Sequence, residues 1–216
     1  MQSRLRGGKI FMAMFIISAI ALLLLINIST ENKIEASYKR SIQAPLLDIL
    51  GQAFESDAIE INPYPIPEKF WPLLGFENQH YLNIVYQNSE AVGLIIPATT
   101  QNGYSGEIKL IVAASRDGQI VGVRILKHSE TPGLGDKIDI STDNWILAFN
   151  GRSLSNTAEK SWTVRKDGGE FDHISGATIT SKSVITQVLK ALKYFEQDKV
   201  RLFGPVSYTH LRAHET

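Results

Sequence analysis

The segment from Asp172 to Thr180 (DHISGATIT) places small residues and hydroxyl side chains directly before a helical pattern. Gly176 and Ala177 leave room for a ligand to approach the backbone, because neither carries a bulky side chain. The helix that should follow presents unpaired N–H groups and the positive end of its dipole at its first turn. This combination is typical of a phosphate site. Residue types alone leave open a simpler alternative, a glycine turn with a threonine N-cap.

A second glycine-containing motif runs from His128 to Ile138 (HSETPGLGDKI). Pro132 and Gly133 suit the two central positions of a type II turn, and Gly135 permits another reversal of the chain. Residue types alone therefore predict a turn here. His128 and His173 lack neighbours with the spacing of zinc ligands, so we predict no metal site. No motif resembling a nucleophile elbow is present either, and we predict no catalytic residue.

The first motif resembles, position by position, the acceptor sequence Asp-x-x-(Ser/Thr)-Gly-Ala-Thr, on which a flavin transferase joins FMN through its phosphate to the threonine hydroxyl. By this resemblance the chain is similar to the G subunit of the Rnf (Rsx) ion-translocating electron-transport complex. That family is in turn similar to the C subunit of the sodium-pumping NADH:quinone reductase. The resemblance implies covalent FMN, in phosphoester linkage to Thr178. It also implies that the attachment site includes Asp172, Ser175, Gly176, Ala177 and Thr180.

The same family has a loop similar to residues 130–135 (ETPGLG), which lies against the flavin ring. The resemblance implies that this loop contacts the ring through Glu130, Thr131, Gly133, Leu134 and Gly135. Within it, Leu134 would cover one ring face, while Glu130 and Thr131 would offer polar contacts. The upstream segment 104–109 also resembles a family element, in which Tyr104 could equally be a core residue or a ligand contact.

Residues 10–28 form an apolar run of nineteen residues without a charge. A helix of that length covers about 28 Å, close to the thickness of a bilayer core. We predict a retained single transmembrane helix rather than a cleaved signal peptide, because no small-x-small cleavage site follows it. Arg4, Arg6 and Lys9 predict that residues 1–9 are cytoplasmic. The main domain would then lie on the periplasmic side of the cell inner membrane.

Between this anchor and the domain, residues 29–75 predict a helical and proline-rich connector. The stretch 62–72 contains four prolines, so we expect irregular chain there, without a helix or a central strand. At the other end, residues 205–216 continue no pattern and are interpreted as a non-native tail.

Residues 76–204 predict one domain. Short apolar runs rich in β-branched residues predict strands at 81–86, 91–97, 108–115 and 119–128. Asp117-Gly118 between the last two is a strong hairpin signal, and 162–164 is a further candidate strand. Helices are predicted at 143–149 and 181–197, the second with an apolar face. The fold class is therefore α+β, an antiparallel sheet with packed helices that would carry the covalent FMN.

The charge balance and the absence of cysteine exclude several classes of partner and site. The 22 Lys and Arg balance 22 Asp and Glu, and there is no Cys. Nucleic acid is therefore not an expected partner, and disulfides and thiolate metal sites are excluded. The resemblance implies a flavoprotein electron carrier in a membrane complex that couples electron transfer between ferredoxin and NAD to ion translocation. Its partners would be the other membrane subunits and a flavin transferase. Two alternatives stay open: a component like the C subunit of the quinone reductase, and a membrane-anchored, non-redox binding or assembly domain.

Overall fold

The computed structural model describes Ile49 and residues 59–204. The predicted cytoplasmic segment 1–9, the anchor 10–28, most of the connector and the tail 205–216 lie outside the described residues. The chain divides into two compact units, Met1–Leu46 and Leu47–Thr216, and every described residue belongs to the second. None of the helices in the described part of the chain is both long and apolar enough to span a bilayer.

The described residues form a five-stranded antiparallel sheet in which the strands follow one another in chain order. The strands are β1 (Ile59–Pro65), β2 (Tyr81–Gln87), β3 (Glu90–Gly103), β4 (Gly106–Ser115) and β5 (Ile120–Lys127). Asn88 and Ser89 both have positive φ angles in the β2–β3 turn, and Gly118 has φ +88° in the β4–β5 turn. Such backbone angles match the twist of the strands in tight hairpins. The predicted antiparallel sheet and both hairpins are confirmed.

The proline-rich stretch differs from its prediction. It contains the end of β1, a 3-10 helix (Glu68–Phe70) and the short helix α1 (Trp71–Leu74), where irregular chain was expected. β1 lies at the edge of the sheet, so Pro63 and Pro65 can occupy positions that donate no ladder hydrogen bond. Pro72 lies in the first turn of α1, where its missing N–H costs no helical hydrogen bond.

Two other predicted elements are shorter or of a different type. The helix expected at 143–149 is a 3-10 helix, Asn144–Phe149, whose N-cap Asp143 accepts a hydrogen bond from Trp145 N–H at 2.8 Å. The candidate strand 162–164 makes only an isolated bridge between Val164 and Phe171. The remaining 3-10 helices of the described chain are Gly135–Ile138, Glu159–Ser161 and Arg165–Asp167.

The long helix α2 (Thr178–Phe203) packs on the sheet, mainly against β3. It begins at Thr178 and ends at Phe203, whereas the sequence predicted 181–197. The core lies between this helix and the sheet, and the helix contributes Val184, Ile185, Val188, Leu192 and Phe195 to it. Gln187, a polar residue of this helix, is also buried, and it donates from Nε2 to the Leu73 carbonyl at 3.3 Å.

The C-terminal half of α2 is fixed by a buried polar cluster. Tyr194 donates to Asp198 at 2.9 Å, and Arg201 Nε donates to the other oxygen of that carboxylate at 2.8 Å. Burial, and then the Asp198 charge, raise the pKa of Tyr194 well above its usual value, so its hydroxyl stays protonated as a donor. The Tyr194 ring meets Phe70 edge-on at 4.9 Å between centroids. The hydrogen bonds lie within α2 and fix the Tyr194 side chain, whose ring packs the helix against the segment between β1 and β2.

Candidate functional site

The loop that leads into α2 is held by an aromatic cluster. Phe171 is buried, with its ring 4.9 Å from that of Phe149 and 5.2 Å from that of Trp162. Trp145 Nε1 donates to the Asp172 carbonyl at 2.7 Å. The backbone just before the Ser-Gly-Ala-Thr sequence is therefore anchored on one side by large buried rings.

The N-terminus of α2 has no side-chain cap. Ala177 occupies the N-cap position and makes no capping hydrogen bond, and Gly176 before it has φ +78°. Thr180 and Ser181 carry hydroxyls close to this helix start, but neither caps the first N–H groups. Ser181 Oγ instead accepts from Ile174 N–H and donates to the Ala177 carbonyl, both at 3.0 Å. The amides of the first helical turn are therefore left to another acceptor.

Thr178 is the first residue of α2, and its side chain is partly exposed. Its Oγ1 accepts a hydrogen bond from Lys166 Nζ at 3.0 Å. Lys166 lies in the 3-10 helix Arg165–Asp167, which ends at Gly168 with φ +86°. At Gly169 a Cβ would lie only 1.9 Å from the Thr163 carbonyl oxygen, so only glycine fits there. The glycine pair turns this segment back and directs Lys166 at Thr178.

Lys166 differs from the two neighbouring cations. Arg165 pairs with Asp172 at 3.1 Å between Nε and Oδ1, and Lys182 pairs with Asp167. In the described part of the chain, Lys166 has no carboxylate within ion-pair distance. The exposed carboxylate of Asp172, which the sequence placed in the site, is therefore engaged by Arg165 rather than by the threonine. Sequence reasoning missed Lys166, for which the Lys-Asp-Gly-Gly turn was the available signal.

Glu130 is 5% exposed and joins three segments of the domain. Its Oε2 accepts from the Thr180 hydroxyl at 2.6 Å, and its Oε1 accepts from Ser105 N–H at 3.0 Å. A Cβ on Gly135 would lie 2.6 Å from Oε2, and one on Gly103 would lie 2.7 Å from Oε1. Glu130 therefore uses its carboxylate inside the protein, and the buried Thr180 hydroxyl is directed at Glu130. That these two residues belong to a flavin site stays a prediction.

The loop after Glu130 forms the predicted turn. Gly133 has φ +77°, and Leu134 N–H donates to the Thr131 carbonyl at 3.1 Å across the turn. Thr131, Gly133 and Leu134 are all exposed. Gly135, which permits another reversal of the chain, is buried against Glu130 and begins the 3-10 helix Gly135–Ile138.

The structure brings the two sequence motifs together. A Cβ on Gly176 would lie 3.0 Å from Leu134 Cδ2, so the leucine side chain lies over the backbone at Gly176. Residues 172–178 are called the acceptor loop below, after the sequence motif that they resemble. Leu134 is 44% exposed, and Ile179 on the other side of Thr178 is 56% exposed. Tyr104, at the β3–β4 turn beside Glu130, is 70% exposed and is therefore not a core residue.

A surface groove of about 240 Å³ adjoins this region. It is bordered by Ile179, Lys182 and Thr186 of α2 and by Thr100 and Asn102 at the end of β3. Ser175 is exposed at the turn before the helix. Within the described residues, no group of three or more His, Cys, Asp or Glu side chains is placed to hold a metal.

These features suit a flavin attached through its phosphate. Thr178 presents a reachable hydroxyl, Lys166 offers a positive charge at its oxygen, and the uncapped helix start offers amides and a positive dipole end. The small residues Gly176 and Ala177 leave access to the hydroxyl. Exposed Leu134 and Ile179 offer apolar surface on which an aromatic ring can pack.

Comparisons with known proteins show which proteins this chain is similar to. Residues 103–193 match the family model of the FMN-binding domain. The chain is 33% identical over 205 residues to the G subunit of the ion-translocating oxidoreductase complex of Pseudomonas aeruginosa, with 94% of each chain covered. It is 43% identical over 129 residues to the G subunit of the same complex from Vibrio cholerae, covering 60% of this chain and 62% of the relative. A solved structure of the C subunit of the Na⁺-translocating NADH-quinone reductase from Parabacteroides distasonis matches with a TM-score of 0.43 at 22% identity, covering 57% of this chain and 64% of that one.

Proposed function

Because the chain belongs to the family of G subunits of ion-translocating oxidoreductase complexes, we propose that it carries FMN in phosphoester linkage to Thr178. The observation that supports this most strongly is the Thr178 hydroxyl itself. It is partly exposed at an uncapped helix start and is held by an ammonium group at 3.0 Å, within residues that match the FMN-binding domain. The protein is then an electron-carrying subunit of the complex.

Attachment requires a flavin transferase as a partner. The Oγ–H bond of Thr178 breaks and an O–P bond forms to the flavin phosphate of a phosphoanhydride brought by the transferase. The P–O bond to the second phosphate of that anhydride breaks, and this leaving phosphate takes up the hydroxyl proton. Once bound, the flavin supplies one- and two-electron redox chemistry that the protein side chains lack. The protein contributes position: Gly176 and Ala177 give access, and the exposed turn at Thr131, Gly133 and Leu134 lies next to the acceptor loop, where it can pack on the ring.

Covalent attachment is tested by denaturing gel electrophoresis of the full chain co-expressed with a flavin transferase. We expect a protein band that fluoresces under ultraviolet light and keeps its fluorescence after boiling in detergent, because a phosphoester survives denaturation. A chain expressed without the transferase is the matched control and should give a dark band. A dark band in both samples would favour the alternative, a membrane-anchored non-redox binding domain.

We further propose that residues 10–28 anchor the protein in the inner membrane and that the domain lies in the periplasm. The support is the uncharged apolar run and the basic residues Arg4, Arg6 and Lys9 before it. An alkaline phosphatase fusion after Gly204 should be active, and a reporter that works only in the cytoplasm should be inactive at that point. The reverse pattern would overturn this topology.

In this proposal the other partners are the remaining membrane subunits of an Rnf-type complex, which passes electrons between ferredoxin and NAD and moves ions. The proteins that co-purify with the full chain would identify the complex. Recovery with the components of a quinone reductase would instead favour a protein like the C subunit of that enzyme.

A further inference from the structure

We propose that Lys166 is the cation of the acceptor site: it holds the Thr178 hydroxyl before flavin attachment and pairs with the phosphate afterwards. The inference rests on the proposed function, since it concerns the ligand that Thr178 would carry. It adds a residue that lies outside both sequence motifs.

The direct observation is the contact at 3.0 Å between Lys166 Nζ and Thr178 Oγ1. An ammonium group has only donors, so the threonine oxygen is the acceptor and its own proton points elsewhere. The lysine thus occupies one lone pair of the oxygen and leaves the hydroxyl proton free for removal. A phosphate on this oxygen places anionic oxygens next to the same ammonium, and charge-assisted hydrogen bonds of this kind are stronger than neutral ones.

Charge pairing around the site supports the assignment. Arg165 and Lys182, the other cations nearest in sequence to Lys166 and Thr178, are each paired with a carboxylate, Asp172 and Asp167. Their charges are therefore largely neutralised by the protein itself. Lys166 is directed at a neutral hydroxyl, and in the described part of the chain no carboxylate pairs with it. A positive charge without a protein anion is suited to an anion that arrives with the ligand.

The turn at Gly168 and Gly169 determines where Lys166 lies. Gly168 has φ +86°, and a Cβ at Gly169 would collide with the Thr163 carbonyl oxygen at 1.9 Å. The turn can therefore form only with glycine at position 169, and it carries the lysine back toward α2. Thr178 is also the first residue of α2, so its side chain lies at the uncapped, positive end of the helix dipole. Two independent parts of the chain thus present positive charge to one hydroxyl.

The test compares attachment kinetics in full-length variants co-expressed with the flavin transferase. Lys166→Met is expected to slow the early accumulation of flavin-bearing protein, followed by intact mass, roughly 3–10-fold, an effect limited by the exposure of the pair. Lys166→Arg, which keeps the charge, should recover most of the rate. Lys160→Met, which removes an exposed charge from the same segment of chain, is the matched control and should react at the wild-type rate.

A second readout separates phosphate pairing from a structural effect. The ³¹P resonance of the flavin phosphodiester should shift between wild type and Lys166→Met and should return toward its wild-type position in Lys166→Arg. Lys166→Gln, which keeps a donor without the charge, serves as a second variant should the methionine protein fold poorly. Equal rates and equal ³¹P positions in all variants would overturn the role of Lys166, as would an equal slowing by Lys160→Met. A wild-type protein without covalent flavin would instead overturn the proposed function.

Discussion

Replacing Thr178 with alanine is expected to give a folded protein that carries no covalent flavin. The only side-chain hydrogen bond of Thr178 in the described part of the chain is the exposed contact with Lys166, so its removal should change the free energy of unfolding by no more than about 0.5 kcal/mol. The attraction between a phosphate and a helix N-terminus, about 0.3–2 kcal/mol, cannot retain a dissociable cofactor. Absorbance near 450 nm and intact mass report the loss, and thermal unfolding reports the fold.

Two hydroxyl variants make this result specific. Thr178→Ser keeps a nucleophilic oxygen at the same position and should still become labelled. Thr180→Ala should keep its flavin but lose about 1–3 kcal/mol of stability, because the buried Glu130 carboxylate loses its 2.6 Å donor. Full labelling of Thr178→Ala together with loss of label in Thr180→Ala would reverse the assignment.

The second large effect is expected from Glu130→Ala. Removing the Glu130 carboxylate leaves the fully buried Thr180 hydroxyl and the Ser105 N–H without their acceptor. It also opens a cavity against Gly103 and Gly135. We expect a loss of roughly 2–4 kcal/mol, which lowers Tm by roughly 6–15 °C for a domain of this size. Flavin attachment should also slow, because the hydrogen bond between Glu130 and Thr180, which connects the segment before the Gly133 turn to the start of α2, is lost.

Matched variants separate this role from a general effect of removing a carboxylate. Glu130→Gln keeps the shape and one acceptor oxygen, so it should lose less stability than the alanine variant. Glu90→Ala removes an exposed carboxylate whose partner is Arg116 and should change stability by less than about 0.5 kcal/mol. A Glu130→Ala protein as stable as Glu90→Ala would show that the hydrogen bonds of Glu130 contribute little to the free energy of unfolding.

The sheet could be predicted from the sequence because its signals are local. The hairpin at Asp117-Gly118 and the turn at Asn88 and Ser89 lie between β-branched runs, and Gly118 and Asn88 are of types that readily adopt the positive φ angles that tight hairpins need. The type II turn at Gly133 was likewise encoded by adjacent residues. β1 was missed because its prolines argue against a strand, and only its place at the edge of the sheet makes them tolerable.

The internal contacts of the site could not be predicted in this way. Glu130 and Thr180 are fifty residues apart in the chain, and nothing in either motif indicates that the carboxylate is buried and accepts a hydrogen bond from the threonine hydroxyl. Lys166 reaches Thr178 only because two glycines reverse the chain between them. Thr180 also illustrates how a residue type can mislead: threonine near a helix start favours capping, but here the helix begins earlier and the side chain points into the core.

Peptide mass spectrometry of the wild-type protein measures most directly which hydroxyl carries the flavin. After co-expression with a flavin transferase and proteolysis, fragmentation of the peptide that contains residues 172–182 should place the added FMN on Thr178. Thr178 is reachable, whereas Thr180 and Ser181 are buried and hydrogen-bonded within the domain. FMN on Ser175 or Thr180, or an unmodified peptide from a protein that is nevertheless yellow after denaturation, would contradict attachment at Thr178.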